Sequence, residues 1–317
     1  MRSPVNAVCS VQDQTGDFSL LARELLQSFH GRFPQRIVAI SSDSRRSAWP
    51  RLRARHSTSG VLFLPRSVMA KTGCLCLPTY NEAENVKVVI PRIFAQAIRI
   101  PTHDLHVVVV DDNSPDGTAA VVREFMGSFP NLHLLTGEKR GLGEAYKRGM
   151  AYALSELHAD LIFEMDADLQ HDPSLLPQFV TLANSGFSLV IGSRFISGGA
   201  TPNFPWHRKV ISVLGTRLVC LFGGLELLTD CTSGYRCIRA DLFGHFDLRN
   251  LASHGYSFQS ALLCELIRNG ARVIEVPIVF REREQGESKL SIRDQVEFLV
   301  NLFRLRSKRP AAAPRTS

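Results

Sequence analysis

Two carboxylates one residue apart, at the end of an apolar run, are the most chemically pointed feature of this chain. The stretch "FEMDADLQHDP", residues 163 to 173, sets Asp166 and Asp168 close to Gln170, His171 and Asp172. Like charges so close repel, so a divalent cation, a nearby Arg or Lys, or solvent must offset them. Hard cations take oxygen ligands, and Mg²⁺ tends to bind one or two carboxylates and complete its shell with substrate phosphates, as a nucleotide-sugar site needs. His171 then reads as a supporting or surface group, because a hard ion prefers oxygen. A lone DxD is as often a solvated pair of acids, so its neighbours must decide.

Two further clusters carry charge. In "VVVVDDNSPDGT", Asp111 and Asp112 end an apolar run, a turn follows, and Thr118 opens a helix. Either an ordinary strand-to-helix turn with an Asx or capping role, or a carboxylate accepting hydrogen bonds from a base or ribose, fits that pattern. In "VFREREQGESKLS", Arg281, Arg283 and Lys289 surround Gly286, with Glu282, Glu284 and Glu287 balancing them. Such a loop is either solvated or a lid, since Arg forks and a Lys ammonium grip phosphate oxygens and Gly supplies flexibility. With Arg194 of "GSRF" it could clamp a diphosphate. No GxGxxG follows the first apolar run, and GxxxxGK[ST], GxSxG and zinc-spaced Cys/His sets are absent. A dehydrogenase, a P-loop kinase and a serine hydrolase therefore lose ground.

The elements that must position these clusters begin at Gly73. Apolar runs "CLCLP", "LHVVVVDD", "LHLL", "LIFEMD" and "SLVIGS" alternate with helix-like stretches "AENVKVVIPRIFAQAI", "GTAAVVREFMGSF", "GLGEAYKRGMAYALSEL" and "PSLLPQFVTLANSG". Near-continuous β-branched runs suit strands buried on both faces, and the alternation predicts an α/β fold with a mostly parallel central sheet flanked by helices. Such sheets bind ligands at the carboxyl ends of their strands. "PTYNEAE", "DDNSPDG", "DADLQ" and "GSRF" should therefore converge on one edge.

Charge argues against a nucleic-acid binder. The chain carries a formal +7, but residues 1–72 hold 11 Lys and Arg against 4 Asp and Glu, and the remaining 26 against 26 cancel. A neutral body is a poor footprint for a polyanion. The 7 cysteines, an odd number with no CxxC, read as reduced thiols of a cytosolic protein, mostly core filler. The most apolar window, "VISVLGTRLVCLFGGLELL", is broken by Arg217, Glu226 and three glycines, so no spanning helix or signal peptide is expected.

The chained motifs "PTYNEAENV", "VVDDNSPDGT", "GLGEAYKRGM", "EMDADLQHDP", "IGSRFISGG", "NFPWHRKVIS", "DCTSGYRCIRADLF", "GYSFQSALL" and "FREREQGESKLS" occur in this order. Together they resemble the polyprenyl-phosphate (dolichol-phosphate) mannosyltransferases, family 2 inverting glycosyltransferases of GT-A fold, from about Gly73 to Arg306. The resemblance implies a single GT-A domain at 69–306, GDP-mannose as donor, a polyprenyl or dolichyl monophosphate as acceptor, and Mg²⁺ or Mn²⁺. It implies that Pro78, Tyr80 and Glu82 contact the nucleotide and that Val110 and Asp112 line base and ribose. Asp166, Ala167 and Asp168 would hold the sugar nucleotide and metal, Asp168 and Gln170 being the direct ligands. Arg194, Arg283 and Lys289 match phosphate positions, and Arg194 and Arg208 of "PWHRK" would meet the lipid phosphate. Asp166, Asp168 and Arg283 are the residues expected to carry catalysis. Another donor such as UDP-glucose, or a non-catalytic nucleotide-sugar-binding scaffold at a membrane, are the competing readings.

A lipid acceptor demands a bilayer. "WHRKVISVLGTRLVCLFGG" and "SIRDQVEFLVNLFRLRSKR" both have apolar residues at helical spacing with cations nearby, the pattern of helices lying in a headgroup plane, though packing on the protein's own core is an equal reading. Peripheral attachment to the cytoplasmic face of a membrane, or a membrane-anchoring partner subunit, is expected. Residues 1–68 are expected to be a weakly ordered basic extension, with Met69 a possible start and a short helix open at 20–29, and 307–317 a basic disordered tail.

Overall fold

The computed structural model describes residues 70–202, 206–223, 225, 228–251 and 257–281, with the backbone alone at 206–208. The expectations for residues 1–68, Arg283, Lys289 and the segments after 281 fall outside them.

The apolar runs form the expected strands: β1 (Lys71–Thr79), β2 (His103–Asp111), β3 (Leu132–Thr136), β4 (Leu161–Glu164) and β5 (Leu189–Ser193). Both faces of the sheet are covered, because alternate side chains enter different cores. Leu75, Leu77, Val107 and Val109 pack with α1 (Ala83–Phe94), α2 (Thr118–Met126) and α4 (Leu176–Asn184). Cys74, Cys76, Val108 and Val110 pack with α3 (Leu142–Ser155) and α6 (Ser257–Arg268). Gly149 lets α3 approach closely, since a Cβ there would sit 3.0 Å from Val110 Cγ2 and 3.2 Å from Cys76 Sγ. One more helix, α5 (Trp206–Gly223), follows β5.

Two strands lie outside the sequence expectation, β6 (Arg236–Arg239) and β7 (Val273–Pro277). The seven strands run β3-β2-β1-β4-β6-β5-β7, and β6 alone is antiparallel to its neighbours. The other six strands therefore deliver their carboxyl ends to one edge. Strand order reverses between β1, which continues to β2, and β4, which continues across the sheet, so that edge has its ligand crevice between β1 and β4. "PTYNE" and "DADLQ" both emerge there.

β6 escapes periodicity because it begins with an arginine that is wholly buried. Arg236 stands opposite Glu164 in the β4–β6 register, its Nη1 lying 3.6 Å from the carboxylate. It also donates to the carbonyls of Gln259 (2.7 Å) and Cys231 (2.9 Å). Burial pushes Glu164 up to about 7, while Arg236 and the Gln259 amide pull it back. Replacing Arg236 by Met should lower stability by roughly 3–5 kcal/mol at about pH 8.5, where the buried carboxylate loses its partner, and by less at about pH 5.5, where it holds a proton. Denaturant midpoints at the two pH values measure this, and adding Glu164→Gln should recover most of the alkaline loss.

Candidate active site

At the end of β2 the two acids part company. Asp111 is structural: its carboxylate accepts from the Thr79 hydroxyl (3.1 Å), the Ser114 N–H (3.0 Å) and the Ser114 hydroxyl (2.5 Å), so it ties β1 to the turn. Asp112 instead pairs with Arg148 of α3. Burial pushes its carboxyl up, and Arg148 and Lys139 pull it back. The turn-and-cap reading of "DDNSPDGT" holds for Asp111, whereas Asp112 faces a cation of the neighbouring helix. The turn itself serves α1: Ser114 Oγ, Thr118 Oγ1 and Asp116 Oδ2 accept from the N–H groups of Asn81 (2.9 Å), Glu82 (3.0 Å) and Ala83 (3.0 Å). These donors precede or open α1 and have no partner inside it.

Along "PTYNE", Pro78 is buried in β1, the Lys139 ammonium lies 3.4 Å from the centre of the Tyr80 ring, and Glu82 accepts from the Asn85 amide at 2.6 Å. The resemblance implies that Val110 lines base and ribose. Its side chain is fully buried beneath Gly149, so any contact it makes with a nucleotide runs through its main chain.

The DxD loop leaves β4 under strain. Among the described residues four non-glycines have positive φ, and three of them, Asn81 (56°), Asn113 (52°) and Leu169 (65°), lie just past the carboxyl ends of β1, β2 and β4. A left-handed leucine is costly, and such conformations persist where the surroundings over-determine them, most often at functional sites. Leu169 turns the chain between Asp168 and Gln170. Asp168 Oδ1 accepts the Gln170 N–H at 3.2 Å, and the Gln170 side-chain nitrogen donates to the Arg281 carbonyl at 2.8 Å. The Arg281 N–H returns to the Gln170 carbonyl at 3.4 Å, so the chain that leads on to Arg283 and Lys289 is pinned at its base to the DxD loop. Asp166 accepts from the Tyr146 phenol at 2.9 Å. That phenol is fully buried against Phe258, and burial together with the Asp166 charge raises its pKa well above the usual value, so it stays a donor. Ala167 is buried between the two acids.

His171 is no surface group. It is 4% exposed, packed against Tyr235 and Phe280, and its Nδ1 accepts the Asp166 N–H over a long 3.4 Å. Burial lowers its pKa to about 4. A neutral ring with Nδ1 accepting carries its proton on Nε2.

Arg194, expected to contact phosphate, has partners within the chain. It follows β5 on the same edge, but its guanidinium makes a bidentate pair with buried Asp230, Nε to Oδ2 and Nη2 to Oδ1 both at 2.7 Å, and donates to the Thr232 hydroxyl at 2.7 Å. The partner of this cation is a carboxylate of its own chain. Arg208 sits on the first turn of α5, with its side chain outside the described residues.

Residues 74–246 match a family model described as "Glycosyl transferase family 2". Over 217 residues the chain is 39% identical to the "Polyprenol monophosphomannose synthase" of Mycolicibacterium smegmatis, covering 68% of this chain and 79% of that protein. It is 42% identical over 229 residues to the "Undecaprenyl-phosphate mannosyltransferase" of Micrococcus luteus, covering 72% and 91%. The chain belongs to glycosyl transferase family 2. Among solved structures, a Pyrobaculum calidifontis mannosyltransferase in complex with GDP-Man and Mn²⁺ superposes with a TM-score of 0.51 at 21% identity, covering 80% of this chain and 70% of that one. Mycobacterium tuberculosis glucosyl-3-phosphoglycerate synthase with Mn²⁺ and UDP-glucose gives 0.54 at 19%, covering 76% and 81%. At such identities they establish the shared fold.

Four residues of this glycosyltransferase site, Lys139, Tyr146, Arg148 and Asp230, are absent from the sequence expectation. Tyr146 had a signal: with Gly149 and Met150 it occupies one helical face at i, i+3 and i+4, and a phenol on a buried face needs a partner. Asp230 had none, because it meets Arg194 across 36 residues.

The neutral His171 sets a pH dependence. Its pKa is depressed in the fold, so the unfolded chain takes up the proton first and stability falls as pH drops from 6.5 toward about 4. His171→Asn, which keeps an acceptor for Asp166, should remove that part of the acid limb in urea midpoints measured across the window.

Proposed function

We propose that this glycosyltransferase moves mannose from GDP-mannose to a polyprenyl monophosphate with inversion at the anomeric carbon. The observation that carries the reading is the position of the DxDxQ loop at the β1–β4 crevice, in a chain about 40% identical to proteins named for polyprenyl-phosphate mannosyl transfer. A divalent ion fits the residues present. Asp168 and Gln170 offer hard oxygens, and the hydrogen bond from the Gln170 nitrogen to the Arg281 carbonyl fixes the orientation of that amide. Mg²⁺ held by one or two protein oxygens would take its remaining ligands from substrate phosphates and water.

When bound, the ion would neutralise charge developing on the departing diphosphate. The chain's own groups do the rest. Asp168 and Gln170 hold the seat, and Pro78, Tyr80, Glu82 and Asp112 face the nucleotide. Asp166, with one oxygen held by Tyr146, is fixed to orient sugar hydroxyls. The acceptor needs no strong general base, since a phosphate monoester with a second pKa of about 6 is largely dianionic near neutrality. Its oxygen attacks the anomeric carbon as the bond to GDP breaks. Arg283 and Lys289 are assigned to the diphosphate, and Arg194, paired with Asp230, to a supporting role at the same strand edge.

The acceptor lies in a bilayer, and no helix among the described residues is long and apolar enough to cross one. α5 supplies a surface instead: Val210, Leu214, Arg217 and Leu221 form one exposed stripe, with Ile211 and Lys209 beside it, while Thr216 and Val219 turn to the core. An apolar stripe with cations suits peripheral docking on an anionic bilayer.

A panel of GDP-mannose, UDP-glucose and a UDP-aminosugar against one short polyprenyl phosphate should give transfer with GDP-mannose and Mg²⁺ or Mn²⁺. Asp168→Ala and excess chelator should each abolish it. Turnover with UDP-glucose alone would sink the mannose assignment. Leu214→Glu should reduce co-sedimentation with phosphatidylglycerol vesicles while leaving the unfolding free energy within about 0.5 kcal/mol of wild type, as an exposed substitution should.

A further inference from the structure

We propose that Cys220 and Cys231 form an oxidisable dithiol, a modification site at which a peroxide links α5 to the turn holding Arg194. Their sulfurs lie 3.5 Å apart across 11 residues of sequence. Among the six described cysteines Cys220 is the one that is not buried, so it is the sulfur a small oxidant can reach, whereas Cys231 waits fully enclosed behind it. The hydrogen bond between the two thiols lowers the Cys220 pKa from its ordinary value, which favours its thiolate. The two partners are thus differentiated, one as nucleophile and the other as resolving thiol.

The chemistry balances with hydrogen peroxide as the co-reactant. The Cys220 thiolate attacks one peroxide oxygen, forming an S–O bond as the O–O bond breaks, and the departing hydroxide takes a proton to become water. Cys231 sulfur then attacks the Cys220 sulfenic sulfur. The S–S bond forms, the S–O bond breaks, and the Cys231 proton leaves with the oxygen as a second water. Two thiols are oxidised by two electrons and one peroxide is reduced to two waters.

The consequence follows from where the pair sits. Cys220 is in the last turn of α5, beside exposed Leu221, and Cys231 follows Asp230 directly. The Cys231 N–H is already held by Thr216 of α5 (3.3 Å), and its carbonyl by Arg236 (2.9 Å). Closing the sulfurs to the roughly 2.05 Å of a disulfide draws this turn toward α5. Asp230 and Thr232, which grip Arg194, move with it.

The test exposes the reduced full-length chain to hydrogen peroxide, caps remaining thiols with N-ethylmaleimide in denaturant, and maps the peptides. A loss of about 2 Da with a Cys220–Cys231 linked peptide pair, reversed by dithiothreitol, is the expected result. Cys220→Ser should abolish the link and Cys264→Ser should leave it intact. Recovery of Cys220 and Cys231 both alkylated, Cys220 stopping at the sulfinic acid, or a link from Cys220 to Cys264 would each overturn the proposal. Mannosyl transfer by the linked protein should fall several-fold and return on reduction, and unchanged turnover of fully linked protein would overturn the coupling to Arg194. That second readout rests on the proposed reaction and the mass readout does not, so a reduced chain without transfer activity would count against the reaction alone.

Discussion

The guanidinium of Arg236 holds the middle of this fold together. It crosses from the one antiparallel strand to Glu164 at the end of β4, and its other donors reach the first turn of α6 and the turn that carries Asp230. Stripping water from both charges costs several kcal/mol per ion, so the pair persists only because attraction and further hydrogen bonds offset that cost. A hydrophobic substitute could fill the space, but it would not dictate which residue of β6 stands opposite Glu164. That register determines where Met165, Asp166 and the rest of the DxD loop leave the sheet.

From that point the site is assembled by the sheet's own geometry. Six strands deliver their ends to one edge, and the reversal between β1 and β4 opens the crevice there. The loops at that edge are the strained ones, with left-handed Asn81, Asn113 and Leu169 each following a different strand. Their cost is offset by side chains borrowed from neighbouring loops, such as Ser114, Asp116 and Thr118 for the start of α1 and Gln170 for the chain after β7. A site supported this way arrives with its polar atoms already oriented, which is the condition for electrostatic help at little reorganisation cost.

Charges at the same edge are largely cancelled in pairs, Asp112 with Arg148 and Arg194 with Asp230. His171 contributes in the opposite way: it is neutral and apolar-faced, and supports the DxD backbone without adding charge beside Asp168.

Local pattern was sufficient for much of this. The apolar runs specified β1 to β5 and the helices between them because periodic burial is a property of a strand or helix by itself, and the chained motifs carried the family. Tertiary structure alone decided the rest. "RCIR" is a central strand only because Glu164 waits opposite Arg236; read alone, an arginine at its head argues for the surface. The adjacent acids Asp111 and Asp112 are equivalent in sequence, and only the hydroxyls of Thr79 and Ser114 on one side and Arg148 on the other make one a brace and its neighbour a candidate ligand. Arg194 meets its partner Asp230, distant along the chain, only in the fold. Spacing along a chain encodes which residues share a face, whereas the protonation, partner and freedom of a buried polar group depend on what the fold packs against it.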